Sequence, residues 1–207
     1  MRARPGKPAS AIAQANCHQG KQVHNGPHPS RRRLAEGSGR VSKSWLVPEI
    51  KELVPAQWPA LRDIRLRALR DSPDSFLSTF ERETSYQEEQ WLAEFARGQW
   101  NIGIRDEEAV GLLGATREAD TPIEQCYLEY MWVAPRYRRS GFAAHMLKVV
   151  IDRLHAAGVR TVQLWVLTGN KPAEQLYKSV GFESTDRSQP LPDLPGRSEK
   201  LMRLRLS

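Results

Sequence analysis

Val133-Ala134-Pro135-Arg136-Tyr137-Arg138-Arg139-Ser140-Gly141-Phe142-Ala143 brings a strand end, a basic loop and a helix start together within eleven residues. The strand runs from Gln125 to Val133 and ends at Ala134-Pro135. The helix runs from about Arg139 to Ala157: Met146, Leu147, Val150, Ile151 and Leu154 recur at helical spacing, and Gly158 stands where a C-terminal cap belongs. A helix start leaves amides unpaired and carries a partial positive charge, so it attracts anions, and small residues let the backbone come close to one. Gly141 and Ala143 supply the smallness, and Arg136, Arg138 and Arg139 supply charge. The junction therefore has the chemistry of a phosphate-binding turn. The competing reading is an ordinary strand-to-helix loop with solvated arginines.

Downstream, Thr161 to Leu167 is a β-rich apolar run that reads as a buried strand. Asn170-Lys171-Pro172 opens a further helix, with Ala173, Leu176, Tyr177 and Val180 on one face and Gly181 at its end. The last strand-like run is Leu201 to Leu206. Upstream, Trp45 to Val54 is extended, and Trp58, Leu61, Ile64, Ala68 and Leu69 mark a helix that stops near Asp71-Ser72-Pro73. The segment Ser75 to Glu83 is poorly patterned, and a second helix is expected at about 86 to 97. Asn101–Ile104 and Ala109–Ala115 read as two strands joined by the acidic turn Asp106-Glu107-Glu108. Strands alternating with helices in the second half predict an α/β domain with parallel or mixed central strands.

Composition narrows the classes. The 207 residues carry a net charge of +7, but residues 1 to 45 alone hold nine Lys/Arg against the single acid Glu36, leaving the remainder at −1. A near-neutral globular part argues against a nucleic-acid groove and confines any polyanion contact to the arm. The arm is rich in Pro, Gly, Ser, Asn and Gln and has few large apolar residues, so 1 to 44 is expected to be disordered and 45 to 207 to be the domain. Arg31-Arg32-Arg33 is either a polyanion anchor or part of a solvated tail. Cys17 and Cys126 form no disulfide framework or zinc pattern, and no metal is expected. Without a long apolar run or a secretory stretch, no membrane association is expected and a cytoplasmic setting is. No G-K-[ST], G-x-G-x-x-G or G-x-S-x-G occurs, which disfavours a nucleotide hydrolase, a dehydrogenase and a serine hydrolase.

Arg138-Arg139-Ser140-Gly141-Phe142-Ala143 resembles the R/Q-x-x-G-x-G/A signature with which GNAT (Gcn5-related) N-acetyltransferases bind the pyrophosphate of acetyl-CoA. Leu164-x-Val166, followed by Asn170-x-x-Ala173-x-x-Leu176-Tyr177 and Gly181-Phe182, looks like the family's second motif, about thirty residues on. Arg139 departs from the glycine most common there, and Ala143 is the less common member of the final pair. The resemblance covers about 125 to 185 closely and 45 to 207 loosely. It implies a GNAT-type acyl-CoA N-acyltransferase fold, with a mixed six- to seven-stranded sheet flanked by about four helices.

The same resemblance implies acetyl-CoA as co-substrate and direct attack by a primary amine in a ternary complex. Arg138, Arg139, Ser140, Gly141, Phe142 and Ala143 would hold the pyrophosphate, and the backbone of Met131, Trp132 and Val133 would pair with the pantetheine arm. An alkyl amine must lose a proton before attack. Glu129 stands where several relatives carry that base, a water chain or a solvent-facing carboxylate being the alternatives. Tyr177 resembles the tyrosine that protonates the departing thiolate, with a core tyrosine as its alternative. Asn170 is either a coenzyme contact or a helix cap. The acceptor pocket would come from about 68 to 92 and 184 to 199, whose carboxylates Asp71, Asp74, Glu81, Glu83, Asp186 and Asp193 either hold a cationic acceptor or are surface charge. The acceptor would be a small molecule or a protein, and a homodimer is allowed. The rival class is a silent acyl-CoA-binding regulatory module with a recruiting arm.

Overall fold

A computed structural model describes residues 48–191 and 194–207. The expectation for the arm, the residues Trp45 to Val47 and Asp193 lie outside the described residues.

The described residues form seven strands and five helices. They are β1 (Glu49–Glu52), α1 (Trp58–Asp71), α2 (Phe80–Thr84), α3 (Glu88–Ala96), β2 (Gly98–Arg105), β3 (Glu108–Thr116), β4 (Gln125–Val133), α4 (Phe142–Ala156), β5 (Thr161–Leu167), α5 (Lys171–Ser179), β6 (Glu183–Pro190) and β7 (Ser198–Arg205). One sheet holds all the strands in the order β1-β2-β3-β4-β5-β7-β6. Among the described strands that are hydrogen-bonded neighbours, only the β4–β5 pair is parallel, as a strand–helix–strand crossover through α4 requires.

The expected strands Gln125 to Val133 and Thr161 to Leu167 are present with those bounds. Two elements were not expected. The five-residue α2 lies in the weakly patterned segment and starts where Thr79 accepts a hydrogen bond from the Arg82 amide. The strand β6, Glu-Ser-Thr-Asp-Arg-Ser-Gln-Pro, lies at the sheet edge with almost every residue exposed or half-buried, so no apolar alternation marks it.

The two faces of the sheet are covered differently. Trp132 of β4 points to α1, where its Nε1 donates to Asp71 at 2.9 Å. Gly111, one residue along β3 from the partner of Trp132, faces α4 instead. The helices α1 and α3 therefore pack on one face and α4, with α5 beside it, on the other.

Phe142 fixes how closely α4 can approach. Its buried ring lies over Gly103 and Gly111: a Cβ on Gly103 would stand 2.6 Å from the ring, and one on Gly111 2.8 Å from the ring and 3.0 Å from Met146. Glycine on two neighbouring strands thus makes the flat seat that lets the first turn of α4 lie against the sheet. Gly103→Ala should destabilise the protein by about 1–3 kcal/mol in denaturant unfolding, the usual range for forced overpacking. A second substitution, Phe142→Leu, should recover part of that loss; equal stability of Gly103→Ala and wild type would contradict the seat.

Candidate active site

The strand β4 pairs with β3 along most of its length but with β5 only at Gln125, Cys126 and Tyr127. Between Glu129 and Trp132 it gains a residue: Tyr130 and Met131 together stand opposite Leu113, a β-bulge. Tyr130 takes φ 59°, a left-handed conformation that a bulky side chain rarely adopts. Past the bulge, the Ala134 amide donates to the Val110 carbonyl at 2.8 Å. Strand alternation then turns the Trp132 amide toward β3 and the Met131 and Val133 amides toward the open side. The Val133 carbonyl also faces that side, where it accepts from Arg138 Nε at 2.8 Å.

The loop after β4 makes one 3-10 turn at Pro135–Tyr137 and then passes through two left-handed residues, Arg139 at φ 61° and Gly141 at φ 81°. Ser140 Oγ donates to the Tyr137 carbonyl at 2.6 Å. Gly141 is the N-cap of α4, and no side chain caps the helix. The amides of Phe142, Ala143 and Ala144 precede the first intrahelical bond, His145 N–H to the Gly141 carbonyl at 3.0 Å, and have no intrahelical acceptor. Left-handed residues beside a helix start make a concave nest of N–H groups suited to an anion.

The three loop arginines do different things. Arg136 pairs with Glu108. Arg138 folds back, bonding the Val133 carbonyl, Ser72 and the Asp71 carboxylate. Arg139 is exposed and makes no ion pair among the described residues. Burial pushes the Asp71 carboxyl up, but hydrogen bonds from Ser72, Trp132 and Arg138, with the Arg138 charge, outweigh it and hold the group below the usual carboxylate range.

Glu129 is only 6% exposed, which removes the solvent-facing alternative. Burial pushes its carboxyl up to about 7, against the lowering effects of Arg97 and a hydrogen bond from Thr116, with Glu94 and Glu118 raising it further. Arg97 Nη2 lies 3.4 Å from Glu129 Oε2. A carboxylate with its midpoint near neutrality inside a fold is suited to taking a proton.

Tyr177 on α5 is 0% exposed, stands edge-on to Phe182, and its hydroxyl has no hydrogen-bond partner among the described residues. Burial raises its pKa, so it stays protonated. Asn170 caps α5, its Oδ1 accepting from the Ala173 amide at 3.2 Å.

Two of the carboxylates expected near the acceptor are engaged internally. Asp71 holds Arg138, and Glu83 is buried in a two-point pair with Arg65 at 2.7 and 2.8 Å. Asp74, Glu81 and Asp186 are exposed. Sequence reasoning missed Arg97, Tyr130 and Thr116 around Glu129, because nothing along the chain brings the end of α3 to β4. No group of three or more His, Cys, Asp or Glu side chains at metal-binding geometry occurs among the described residues. No described helix is long and apolar enough to cross a membrane.

A family model described as the acetyltransferase (GNAT) family matches residues 58–182. The chain belongs to the GNAT acetyltransferase family. The match runs from the start of α1 to the residue before β6 and so includes the open side of β4, the loop and both helices beside it. The chain is 32% identical over 93 residues to the ribosomal protein bS18-alanine N-acetyltransferase of Escherichia coli K12, a match spanning 44% of this chain and 63% of that protein. It is 32% identical over 87 residues to the mycothiol acetyltransferase of Brachybacterium faecium, spanning 42% of this chain and 26% of the relative. A Salmonella typhimurium structure with its cofactor acetyl-CoA superimposes with a TM-score of 0.63 at 17% identity, over 77% of this chain and 94% of that one. That likeness is one of fold. It agrees with the expected mixed α/β sheet, here with seven strands and five helices.

The Asp71–Arg138 pair links α1 to the GNAT loop across the sheet. Asp71→Asn and Arg138→Ala should be non-additive in unfolding free energy, with a coupling of about 0.5–1 kcal/mol for a partly exposed pair. Because the folded pKa of Asp71 lies below its unfolded value, the coupling should be full above about pH 4 and lost as pH falls through the folded value. Additivity at neutral pH would contradict the link.

Proposed function

We propose that this GNAT protein is an acetyl-CoA-dependent N-acetyltransferase that acts on a primary amine of a small molecule or a protein by direct attack in a ternary complex. The observation that carries the reading is the buried carboxylate of Glu129, with its midpoint at about 7, beside the place where β4 parts from β5. A silent acyl-CoA-binding module has no use for a costly buried carboxylate at that position.

The chain's residues fit the coenzyme. The open-side Met131 and Val133 amides can pair with an extended arm as an added strand would. The α4 amides with Arg139 suit a pyrophosphate, and the orphaned Tyr177 hydroxyl needs a partner that a bound thioester would supply. Arg138, already held by Val133 and Asp71, shapes the turn more than it offers a free charge.

In the reaction the amine nitrogen forms a bond to the acetyl carbon as the carbon–sulfur bond breaks. Glu129 takes the proton that the amine loses, and Tyr177 gives its proton to the departing thiolate. Holding amine and thioester in attack geometry supplies much of the rate, a contribution of up to about 7–11 kcal/mol in well-oriented systems. The name of the Escherichia coli relative, an alanine N-acetyltransferase of a ribosomal protein, supports an amine acceptor, and a ribosomal protein substrate supports a cytoplasmic setting.

An acetyl-transfer assay over protein N-termini and small amines tests this directly. Glu129→Gln should lower kcat by about 10²–10⁴-fold with the acetyl-CoA Kd unchanged in calorimetry. Tyr177→Phe should lower kcat by the lower end of that range while weakening Kd by no more than the loss of one neutral hydrogen bond, about tenfold or less. Transfer to no amine by the wild type, or full activity of Glu129→Gln, would overturn the assignment.

A further inference from the structure

Arg97 caps the C-terminal end of α3 and reaches across to the β4 bulge. Its Nη1 lies 2.9 Å from Glu94 Oε2 and 3.1 Å from the Tyr130 hydroxyl, and its Nη2 lies 3.4 Å from Glu129 Oε2. The Tyr130 hydroxyl donates in turn to Glu94 at 3.4 Å. One guanidinium therefore touches the two bulge-side residues Glu129 and Tyr130 and one acid of its own helix. A guanidinium is always charged and presents donors in a fixed fork, so it can hold several acceptors at once and does not itself titrate.

Glu129 sits among unequal charges. From α3 it faces Arg97 and Glu94; from β3 and the turn after it, the Thr116 hydroxyl and Glu118. Its strand neighbours Tyr127 and Tyr130 are both raised by burial and stay neutral. Arg187 of β6 and Arg203 of β7 act on Tyr127, and Arg65 of α1 lies 4.3 Å over the Tyr130 ring. Among these cations only Arg97 lies within 4 Å of the Glu129 carboxylate.

We propose that Arg97 is a positioning residue for acetyl transfer: anchored by Glu94 and the Tyr130 hydroxyl, it fixes the Glu129 carboxylate at the bulge and stabilises its ionised form. The inference rests on Glu129 being the base. Glu94 and Glu129 share the guanidinium, so the charge that Glu129 feels depends on both. Removing Arg97 leaves a buried carboxylate with a hydroxyl as its remaining partner. Removing the charge of Glu94 leaves Glu129 as the one described carboxylate paired with Arg97, beside the neutral Tyr130 hydroxyl, and takes away a repulsive neighbour.

These two changes shift the acid–base behaviour in opposite directions, which a merely structural role would not do. The pH dependence of kcat, measured from about pH 5 to about pH 10, should show for Arg97→Met a rising limb moved up by about one pH unit, as expected for loss of an adjacent opposite charge. That shift lowers kcat about tenfold below the wild-type midpoint and recovers to within about threefold on the alkaline plateau. Arg97→Lys, which keeps a point charge but not the fork, should fall between the two. Glu94→Gln, a change on a part-exposed helix face, should move the limb down by about half a unit. Acetyl-CoA affinity should be unchanged in all three.

A limb that stays in place while kcat falls equally at every pH in Arg97→Met, or an unmoved limb in Glu94→Gln, would overturn the proposal. Glu129→Gln separates the two levels. If the limb persists in that variant, the base lies elsewhere and the reading of Glu129 fails with it. If it vanishes there while Arg97→Met and Glu94→Gln leave the midpoint fixed, the role of Arg97 alone fails.

Discussion

Beyond Tyr127 the β4 backbone loses its pairing to β5. Peptide groups on that side need other partners, because a buried, unpaired amide costs about as much as a lost hydrogen bond. The extra residue at Tyr130 and Met131 is what bends the strand away, and it comes with a left-handed tyrosine. Strain of that kind is of order 1–3 kcal/mol and persists only where the surroundings fix it. Here they do so from three sides. Trp100 packs 4.9 Å from the Tyr130 ring, Arg65 covers its other contact, and Arg97 holds the hydroxyl. The open seam, the carboxylate of Glu129 and the loop into α4 all take their positions from this one irregular stretch.

Arginines connect that stretch to the rest of the molecule. Arg65, buried and paired at two points with Glu83, lies between the rings of Phe76 and Tyr130 and so joins α1 and α2 to the bulge. Arg138 ties the loop back to the end of α1 through Asp71, which also takes the Trp132 indole N–H. Arg153 of α4 reaches the Ile50 carbonyl and Asn101 on β1 and β2. Both faces of the sheet are thus keyed to the backbone that surrounds the seam. A planar, permanently charged side chain with five donors in a fixed fork can hold a carboxylate and a carbonyl at set angles, a geometry that the single ammonium of a lysine does not impose.

The central strand, the helix after it, the basic turn and the second helix with Tyr177 were all legible because each carries a local signal: an apolar run, a helical stripe, a glycine at a left-handed N-cap. Three features had no such signal. The edge strand β6 is polar on both faces, so periodicity passes over it. The bulge sits at a tyrosine rather than a glycine, within a run of strand-forming residues that reads as a plain strand. Arg97, Asp71 and Glu83 act through partners distant in sequence, and an isolated acid or base carries no mark of what it will meet. From sequence Asp71 and Glu83 read as either acceptor ligands or surface charge, whereas the fold engages both with arginines.

Amide hydrogen exchange read by NMR, with and without acetyl-CoA, tests the seam most directly. The coenzyme should slow exchange at Met131 and Val133 and at the amides of residues 139–144. Trp132, whose amide is turned into β3, should keep the rate it has without ligand. Saturating coenzyme that leaves Val133 unchanged, or protects a different strand, would contradict the proposal that acetyl-CoA binds in the opening between β4 and β5.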